Sequence, residues 1–283
     1  MLIESWVQAD HAQWRVCSAP DEQGVTMTQA ALKILRTHDL GQEISGPADP
    51  FPEPGWIKGS ALKGKAATRH GLRFRLGLGL PRLREAQNLR WLGKHLFVVP
   101  RPLVALAIFR TGLPRGQWLV TEAQTGAQPL LNVWAKLSPP EQEAALLELA
   151  REVARMHALG FTHRDLFLRN LMWREDPQRN LVFLDCWRGG PGFDLRGPSW
   201  DVGCLLVDLV QYMGGPRAQA WLQEYKNQRA LQGRPIASGK FLRRALKARR
   251  AIIQRLIAQP ERRGGAPPPP LDWTPTWEPG LKP

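Results

Sequence analysis

His163-Arg164-Asp165-Leu166-Phe167-Leu168-Arg169-Asn170 is the most informative segment of this 283-residue chain. It is followed by the apolar run Leu181-Val182-Phe183-Leu184, which leads directly into Asp185 and predicts a short buried strand. Taken singly, Asp165 and Asn170 are ordinary polar residues of a loop, and Asp185 is an ordinary carboxylate of a turn. Taken together at this spacing, the three side chains indicate a site built from oxygen ligands.

The segment resembles the H-R-D-L-x-x-x-N signature of the protein-kinase-like fold, in which a second Asp follows at the end of a strand. Phosphoryl transfer needs a base or aligning group beside the acceptor hydroxyl, and oxygen ligands for Mg²⁺ on the nucleotide phosphates. The resemblance therefore predicts Asp165 as the base, with Asn170 and Asp185 as ligands of the metal.

Composition excludes several classes of protein. The chain is 43% hydrophobic, and no segment approaches the roughly 20 uninterrupted apolar residues of a membrane-spanning helix. Glu4 and Asp10 stand where a secretion signal would be basic and then apolar. The three cysteines show no C-x-x-C spacing, which argues against a disulfide framework or a zinc site and favours a reducing compartment.

The net charge of +14 favours an anionic partner, such as nucleic acid, a phospholipid surface or a phosphorylated substrate. Charge alone does not choose among these, and an ordinary solvated basic surface is the simplest alternative. No nucleic-acid-binding motif accompanies the charge, so we expect no nucleic-acid partner.

The first half of the chain predicts a small lobe rich in strands. Residues 1–36 are assigned to an N-terminal extension, in which Met27 to Arg36 has helical spacing. No G-x-G-x-x-G loop follows, and Gly77-Leu78-Gly79-Leu80 lacks the third glycine of such a loop. Residues 37–121 are predicted as the lobe itself, with strands at Leu103 to Phe109 and Trp118 to Thr121.

A lysine on a strand and a glutamate on the next helix form the second candidate cluster. Trp56-Ile57-Lys58 reads as a short strand, and Glu85 is the only acidic residue of a helix predicted over Pro81 to Leu92. In a kinase, such a lysine contacts the nucleotide phosphates and is held by the glutamate. Lys63 and Lys65 are nearby alternatives to Lys58 for this role. The basic insert that contains them is either a flap over phosphates or a solvated loop.

The second half predicts a mainly helical lobe over residues 122–258. Its first long helix begins at the capping box of Ser138 to Glu141 and ends near Gly160, and a later apolar helix opens with Asp201. The last predicted helix, over 240–258, is strongly basic and either docks on an anionic membrane or is simply solvated. Residues 259–283 are rich in proline and are predicted to be disordered.

Beyond the catalytic signature, the chain resembles the bacterial lipopolysaccharide kinase family, whose members phosphorylate inner-core heptose or Kdo sugars. The likeness spans about residues 37 to 210 and includes a wide gap between Lys58 and Glu85. The motifs that carry it are Trp56-Ile57-Lys58, Leu80-Pro81, Arg84-Glu85-Ala86, Leu119-Val120-Thr121-Glu122, Met156-His157, His163-Arg164-Asp165 and Leu184-Asp185.

This resemblance implies an α+β, bilobal protein-kinase-like fold that uses ATP and Mg²⁺ on a sugar hydroxyl of a lipid-linked saccharide. It implies a phosphate contact for Lys58, an ion pair between Lys58 and Glu85, and adenine contacts by the backbone of Glu122 and Ala123. It implies a cytoplasmic enzyme, with peripheral contact of the inner membrane.

Three departures from protein kinases keep alternatives open. Phe167 stands where protein kinases usually have a lysine, Asp185-Cys186-Trp187 replaces D-F-G, and there is no A-P-E motif. The short segment after Asp185 disfavours a peptide substrate. A protein or small-molecule kinase of the same fold, and a pseudokinase scaffold, remain the alternatives.

Overall fold

The computed structural model describes residues 3–9, 12–18, 26, 28–29, 44–48, 54–174, 180–192, 197–236, 238–259 and 267–276. The chain divides into two compact units, Met1–Thr125 and Gly126–Pro283. The first unit carries the main β-sheet, and the second carries most of the helices. The fold is thus α+β, as predicted, with a β-rich first unit and a mainly helical second unit.

The described part of the first unit forms a six-stranded antiparallel sheet with the strand order β1-β2-β5-β6-β4-β3. The strands are β1 (Ile3–Ala9), β2 (Ala12–Ser18), β3 (Ile44–Ala48), β4 (Gly55–Ala61), β5 (Pro102–Arg110) and β6 (Leu113–Glu122). The three strands predicted from the sequence are confirmed as parts of β4, β5 and β6. Helix α2 (Pro81–Lys94) packs against β5 and β6, and α1 (Gly64–Arg75) packs against β6.

The strand that carries Lys58 contains a glycine, Gly59, against which a large aromatic side chain packs. Gly59 pairs with Trp118 across β4 and β6. A Cβ atom at Gly59 would lie only 2.1 Å from Cδ1 of the Trp118 indole, so this position requires glycine. The indole therefore lies over Gly59 of β4 and is itself buried.

Strands β1 and β2 fall in the region that the sequence assigns to an N-terminal extension. They pair with each other, and β2 also pairs with β5. In β1 the polar pair Glu4-Ser5 precedes the apolar pair Trp6-Val7, so the alternation that marks a strand is absent. The helix predicted from Met27 to Arg36 lies outside the described residues except for Thr28 and Gln29, which are helical.

The basic insert after Lys58 is a helix, although both sequence interpretations treat it as a loop. It forms α1, which buries only the small residues Ala67 and Gly71. Lys63, Lys65 and most of the arginines of this segment are exposed. Because small residues pack the helix against the sheet, α1 lacks the large apolar stripe by which a helix is usually predicted.

The second unit is built mainly from helices. They are α3 (Leu130–Trp134), α4 (Pro139–Ala158), α5 (Pro198–Asp208), α6 (Gly215–Leu231) and α7 (Ser238–Ala258), with a π-helical turn at Leu209–Met213 after α5. The short strands are β7 (Ala127–Pro129), β8 (Phe161–Thr162), β9 (Leu171–Arg174), β10 (Leu181–Phe183) and β11 (Gly190–Pro191). None of the helices within the described ranges is long and apolar enough to span a bilayer.

Helix α4 follows the sequence prediction closely. Its capping box is present, with the Ser138 backbone N–H donating to Oε2 of Glu141 at 2.7 Å. Its predicted stripe of Leu146, Leu149, Val153 and Met156 is buried. Past its end, Gly160 has a φ of +82°, a conformation that favours glycine after a helix. This helix brings the chain to the segment that begins at His163.

The proline-rich C-terminal segment packs on the second unit at residues 267–276, where the sequence favours disorder. The guanidinium of Arg249, on α7, is buried and donates to the carbonyl oxygens of Leu206, Pro270 and Leu271. The ring of Trp273 lies against the same guanidinium, 5.7 Å from its centre. Composition alone does not predict this contact, because it depends on a single buried arginine.

Candidate active site

In the first unit, Lys58 and Glu85 form the predicted ion pair. Lys58 Nζ lies 3.5 Å from Oε1 of Glu85, whose side chain is only 1% exposed. Arg82, one turn earlier on α2, places Nη1 2.5 Å from Oε2 of the same carboxylate. A buried carboxylate requires compensating charge, and here two cations supply it. Sequence analysis did not identify Arg82, although its i,i+3 spacing from Glu85 is a readable signal.

Glu122 and Ala123 follow β6 at the predicted adenine-binding segment. The backbone N–H of Glu122 donates to the Arg101 carbonyl at 2.9 Å, and that of Ala123 donates to the Pro54 carbonyl at 2.8 Å. The Glu122 carboxylate pairs with the half-exposed Arg101. Both N–H groups are thus engaged within the first unit, so a nucleotide base would have to displace these bonds to use them.

In the second unit, Asp201 holds the segment that begins at His163. Its two carboxylate oxygens accept the backbone N–H groups of His163 and Arg164, each at 2.6 Å. The neighbouring Trp200 indole donates to the Arg164 carbonyl at 3.2 Å. Arg164 has a φ of +66°, which is uncommon for a residue with a side chain, so these bonds stabilise a strained backbone. Asp201, at the start of its helix, thus ties that helix to this loop.

A buried histidine and tyrosine support Asp201 from behind. His157 Nε2 lies 3.1 Å from Oδ2 of Asp201, and its Nδ1 lies 2.7 Å from the Tyr225 hydroxyl. Burial lowers the pKa of His157, so the imidazole is neutral near neutral pH. A neutral ring that donates from Nε2 to the carboxylate must accept at Nδ1 from the tyrosine hydroxyl. Both oxygens of the buried Asp201 carboxylate therefore accept hydrogen bonds.

The loop presents Asp165 and fixes Asn170 beside it. The Asn170 amide nitrogen donates to the Asp165 backbone carbonyl at 2.7 Å. The Asp165 carboxylate is partly exposed and lies within 4 Å of two arginines, Arg169 and Arg188. Asp165 and Asn170 are thus brought together by backbone contacts that do not involve the Asp165 carboxylate.

Asn170 directly precedes β9 and Asp185 follows the end of β10, so the two residues stand at the two ends of this hairpin. The Leu184 backbone N–H donates to the Asn170 carbonyl at 2.9 Å, which holds the two hairpin ends together. Asp185 has a φ of 54° and a ψ of 38°, the left-handed conformation that aspartate tolerates better than most residues. His163 also bonds here, through Nε2 to the Leu184 carbonyl at 2.7 Å.

The donor set of Asn170 and Asp185 fits Mg²⁺. The side-chain Nδ2 of Asn170 is bonded to the backbone carbonyl of Asp165. The side-chain oxygen Oδ1 of Asn170 is therefore the group left to face a cation. Mg²⁺ is typically held by one or two protein oxygens together with waters and substrate phosphates. Within the described ranges, no cluster of three or more histidine, cysteine or acidic residues could hold a metal ion.

Asp208, near the end of α5, is a loop anchor that sequence analysis did not identify. Its Oδ2 accepts the Leu168 backbone N–H at 2.7 Å, inside the same loop. Burial raises the pKa of Asp208 to about 6. The readable signal is a lone carboxylate in the apolar run Leu205 to Val210, where an unpartnered charge would be costly.

Asp208 makes stability depend on pH in a defined direction. Its pKa in the folded state, about 6, lies above the ordinary value of 3.8, so its stabilising contribution is present below 3.8 and lost as pH rises through about 6. Asp208→Asn keeps an acceptor for Leu168 but cannot ionise. We expect the free energy of unfolding of wild type, relative to this variant, to fall by about 2–3 kcal/mol between about pH 4 and pH 7.5.

Urea unfolding of both proteins across that pH range measures this difference. Groups common to the two proteins cancel, so only the titration at position 208 remains. A stability difference that stays constant with pH would contradict the raised pKa.

Part of this chain matches the model of a known protein family. Residues 63–194 match the model of the lipopolysaccharide kinase (Kdo/WaaP) family, a segment that contains Glu85, Asp165, Asn170 and Asp185 and begins shortly after Lys58. No curated protein matches the chain.

A solved structure shows the same fold. The structure of WaaP in complex with acyl carrier protein is similar, with a TM-score of 0.54 and 14% sequence identity, over 83% of this chain and 99% of that chain. A glucosamine kinase has a TM-score of 0.49 and 14% identity over 92% of this chain and 89% of that chain. The chain therefore has a protein-kinase-like fold. Its residues 63–194 are similar to the lipopolysaccharide kinase (Kdo/WaaP) family, which indicates an ATP-dependent kinase.

Proposed function

We propose that this kinase phosphorylates a hydroxyl group of an inner-core sugar of lipopolysaccharide, either heptose or Kdo. The observation that carries the proposal is the loop held by Asp201, in which the Asp165 carboxylate reaches the surface and the Asn170 amide is fixed beside it. The family match includes this whole loop and supports a sugar acceptor.

Each predicted site residue has a role in the proposal. Asp165 accepts the proton of the sugar hydroxyl, and Lys58, oriented by Glu85, binds the nucleotide phosphates. Asn170 and Asp185 would hold Mg²⁺, which neutralises phosphate charge when bound. The backbone at Glu122 and Ala123 would border the adenine, through carbonyl groups or after release of the N–H groups now bonded within the chain.

The region after Asp185 supports a small acceptor over a peptide. Asp185 continues directly into a 3₁₀ turn, Cys186–Arg188, and then into the two-residue strand β11. That strand pairs with β8 immediately before His163. The described residues of this segment therefore stay against the loop and offer no extended platform on which a peptide could dock. A protein kinase and a scaffold without activity are the alternatives.

Transfer of labelled γ-phosphate from Mg·ATP tests the proposal. The acceptors are a lipopolysaccharide extract and a mixed protein fraction, and Asp185→Asn serves as the inactive blank. We expect label in the glycolipid that is lost in the variant. Label in protein alone would favour a protein kinase, and the absence of Mg·ATP binding would favour the scaffold alternative.

We further propose that the enzyme works at the cytoplasmic face of the inner membrane and meets it through α7. Arg243, Arg244, Lys247 and Arg250 are exposed on this helix, whereas Arg249 is buried and cannot take part. A cluster of basic side chains of this kind is attracted to anionic lipid. The lipid-linked acceptor would lie at the same surface.

Sedimentation with vesicles that contain anionic lipid measures this contact. Replacing Arg243, Arg244, Lys247 and Arg250 with glutamine should weaken binding by at least about 100-fold, since each basic residue contributes about 1 kcal/mol. The matched control replaces four exposed basic residues of α1: Lys65, Arg69, Arg73 and Arg75. Equal binding of wild type and the α7 variant would exclude α7 as the membrane surface.

A further inference from the structure

The loop from His163 to Asn170 has no cation at the position of Phe167. The protein kinases that this loop resembles carry a lysine there. The Phe167 side chain is 7% exposed and packs with Cys204, Val207, Ile252 and Ile253 in the core of the second unit. An aromatic ring held in this way cannot neutralise phosphate charge. Any cation that does so must therefore come from elsewhere.

Two arginines lie at the Asp165 carboxylate. Arg169 Nη2 is 3.6 Å from Oδ1 of Asp165, and Arg188 Nη1 is 3.7 Å from the same oxygen. Their side chains are 57% and 50% exposed, compared with 15% for Asp165. Two positive charges at one carboxylate leave a net positive charge beside the proposed base.

Aromatic rings position both guanidinium groups. Arg169 lies over the Phe167 ring at 4.0 Å from its centre, and Arg188 lies over the Trp187 ring at 4.9 Å. Stacking on an aromatic face favours a guanidinium and restricts its orientation while leaving its N–H donors accessible. The residue that replaces the lysine is thus the platform on which Arg169 lies.

A glycine brings Arg188 to this place. Gly189 follows it, and a Cβ atom there would lie 1.8 Å from the Thr162 carbonyl oxygen. Only glycine allows the chain to pass so close to β8, and the next residue, Gly190, then pairs with Thr162. The backbone therefore fixes Arg188 beside Asp165 as the i,i+4 spacing fixes Arg169.

A role in stability alone does not account for this arrangement. Exposed ion pairs at distances near 4 Å contribute about 0–1 kcal/mol, and one carboxylate oxygen does not need two guanidinium partners. Each guanidinium has five N–H donors, most of which the Asp165 oxygen cannot use. Planar donors of this kind are well suited to bind phosphate oxygens.

We propose that Arg169 and Arg188 bind the oxygens of the transferring phosphoryl group and together replace the missing lysine. In that step, the acceptor oxygen forms a bond to the γ-phosphorus, its proton passes to Asp165, and the bond to the bridging oxygen breaks, with ADP leaving. The two arginines neutralise charge on the phosphoryl oxygens. This inference rests on the kinase activity proposed above but not on the identity of the acceptor.

The test uses Arg169→Gln, Arg188→Gln, the double variant and Arg169→Lys. The matched control is Arg151→Gln, because Arg151 is also 50% exposed and lies 3.6 Å from a carboxylate oxygen of Glu152. Two quantities are measured: kcat for phosphoryl transfer, and the ratio of affinities for a non-hydrolysable Mg·ATP analogue and for Mg·ADP. This ratio measures how strongly the enzyme binds the γ-phosphate, and its measurement needs no acceptor.

We expect kcat to fall about 10-fold in each glutamine variant and at least about 100-fold in the double variant. The affinity ratio should fall at least about 10-fold in the double variant while Mg·ADP binding stays within about 2-fold. Arg169→Lys should recover part of both losses, and Arg151→Gln should change neither.

The outcomes separate this inference from the proposed function. An unchanged affinity ratio and kcat in the double variant would overturn the inference even if wild type labels glycolipid. A reduced ratio would support it even if wild type labels no glycolipid and the acceptor has to be reassigned. Failure of wild type to bind either nucleotide would overturn the inference together with the proposed function.

Discussion

Replacing Asp165 with alanine is expected to lower kcat for phosphoryl transfer by about 10²–10⁴-fold, the usual contribution of a general base. The free energy of unfolding should change by less than about 1 kcal/mol. Because the variant is expected to change activity far more than stability, it tests the assigned role directly.

Stability is preserved because the loop does not depend on the Asp165 side chain. The Asp165 backbone carbonyl accepts from the Asn170 amide and from the Phe167 N–H at 2.7 and 2.9 Å, and alanine keeps both bonds. Within the described residues, the ion pairs of the carboxylate are those with the half-exposed Arg169 and Arg188, and both arginines can turn to water. No buried polar group is left without a partner.

The second unit offers a closely matched control in Glu152. Its side chain has the same 15% exposure and also lies beside two arginines, Arg151 and Arg155. Glu152→Ala should leave kcat within about 2-fold of wild type, since it removes similar ion pairs away from the loop. Turnover of Asp165→Ala equal to that of Glu152→Ala would rule out a catalytic role for Asp165.

Asp201→Ala should instead affect the fold, with an expected destabilisation of about 3–5 kcal/mol and loss of transfer. The carboxylate is fully buried, and its removal leaves the backbone N–H groups of His163 and Arg164 without their acceptor. The left-handed conformation of Arg164 then loses the bonds that stabilise it. Transfer should fail because the loop no longer holds Asp165 and Asn170 in place.

Asp208→Ala provides the internal comparison, because it lies on the same helix and anchors the same loop. Asp208 accepts one backbone N–H, whereas Asp201 accepts two and also contacts His157. Urea unfolding at neutral pH should therefore show a smaller loss of stability for Asp208→Ala, of about 1–3 kcal/mol. The reverse order would mean that Asp201 is not the main anchor of the loop.

The sequence predicts best those parts of the fold that local patterns determine. The capping box at Ser138, the buried stripe of α4 and the strand before Asp185 each have a periodicity or a cap that can be read within a few residues. The site in the second unit follows from them, because its residues lie at the ends of these elements.

Long-range contacts explain most of what sequence reasoning missed. The first two strands join the sheet through pairing with β5, far along the chain, and the C-terminal segment packs through the single buried Arg249. Arg188 reaches Asp165 only because the chain after Asp185 pairs back on β8. Arg169 is different, since its i,i+4 spacing from Asp165 is visible in the sequence once Phe167 is recognised as a platform.

The most direct test of a sugar kinase is the position of the phosphate in the product. Purified lipopolysaccharide core would be incubated with Mg·ATP and enzyme, then split into its saccharide and lipid parts for mass spectrometry, with Asp165→Ala in parallel. We expect the saccharide to gain the mass of one phosphate on a heptose or Kdo residue, with wild type only. Phosphate on protein or on the lipid part, or an equal gain with Asp165→Ala, would contradict the proposed function.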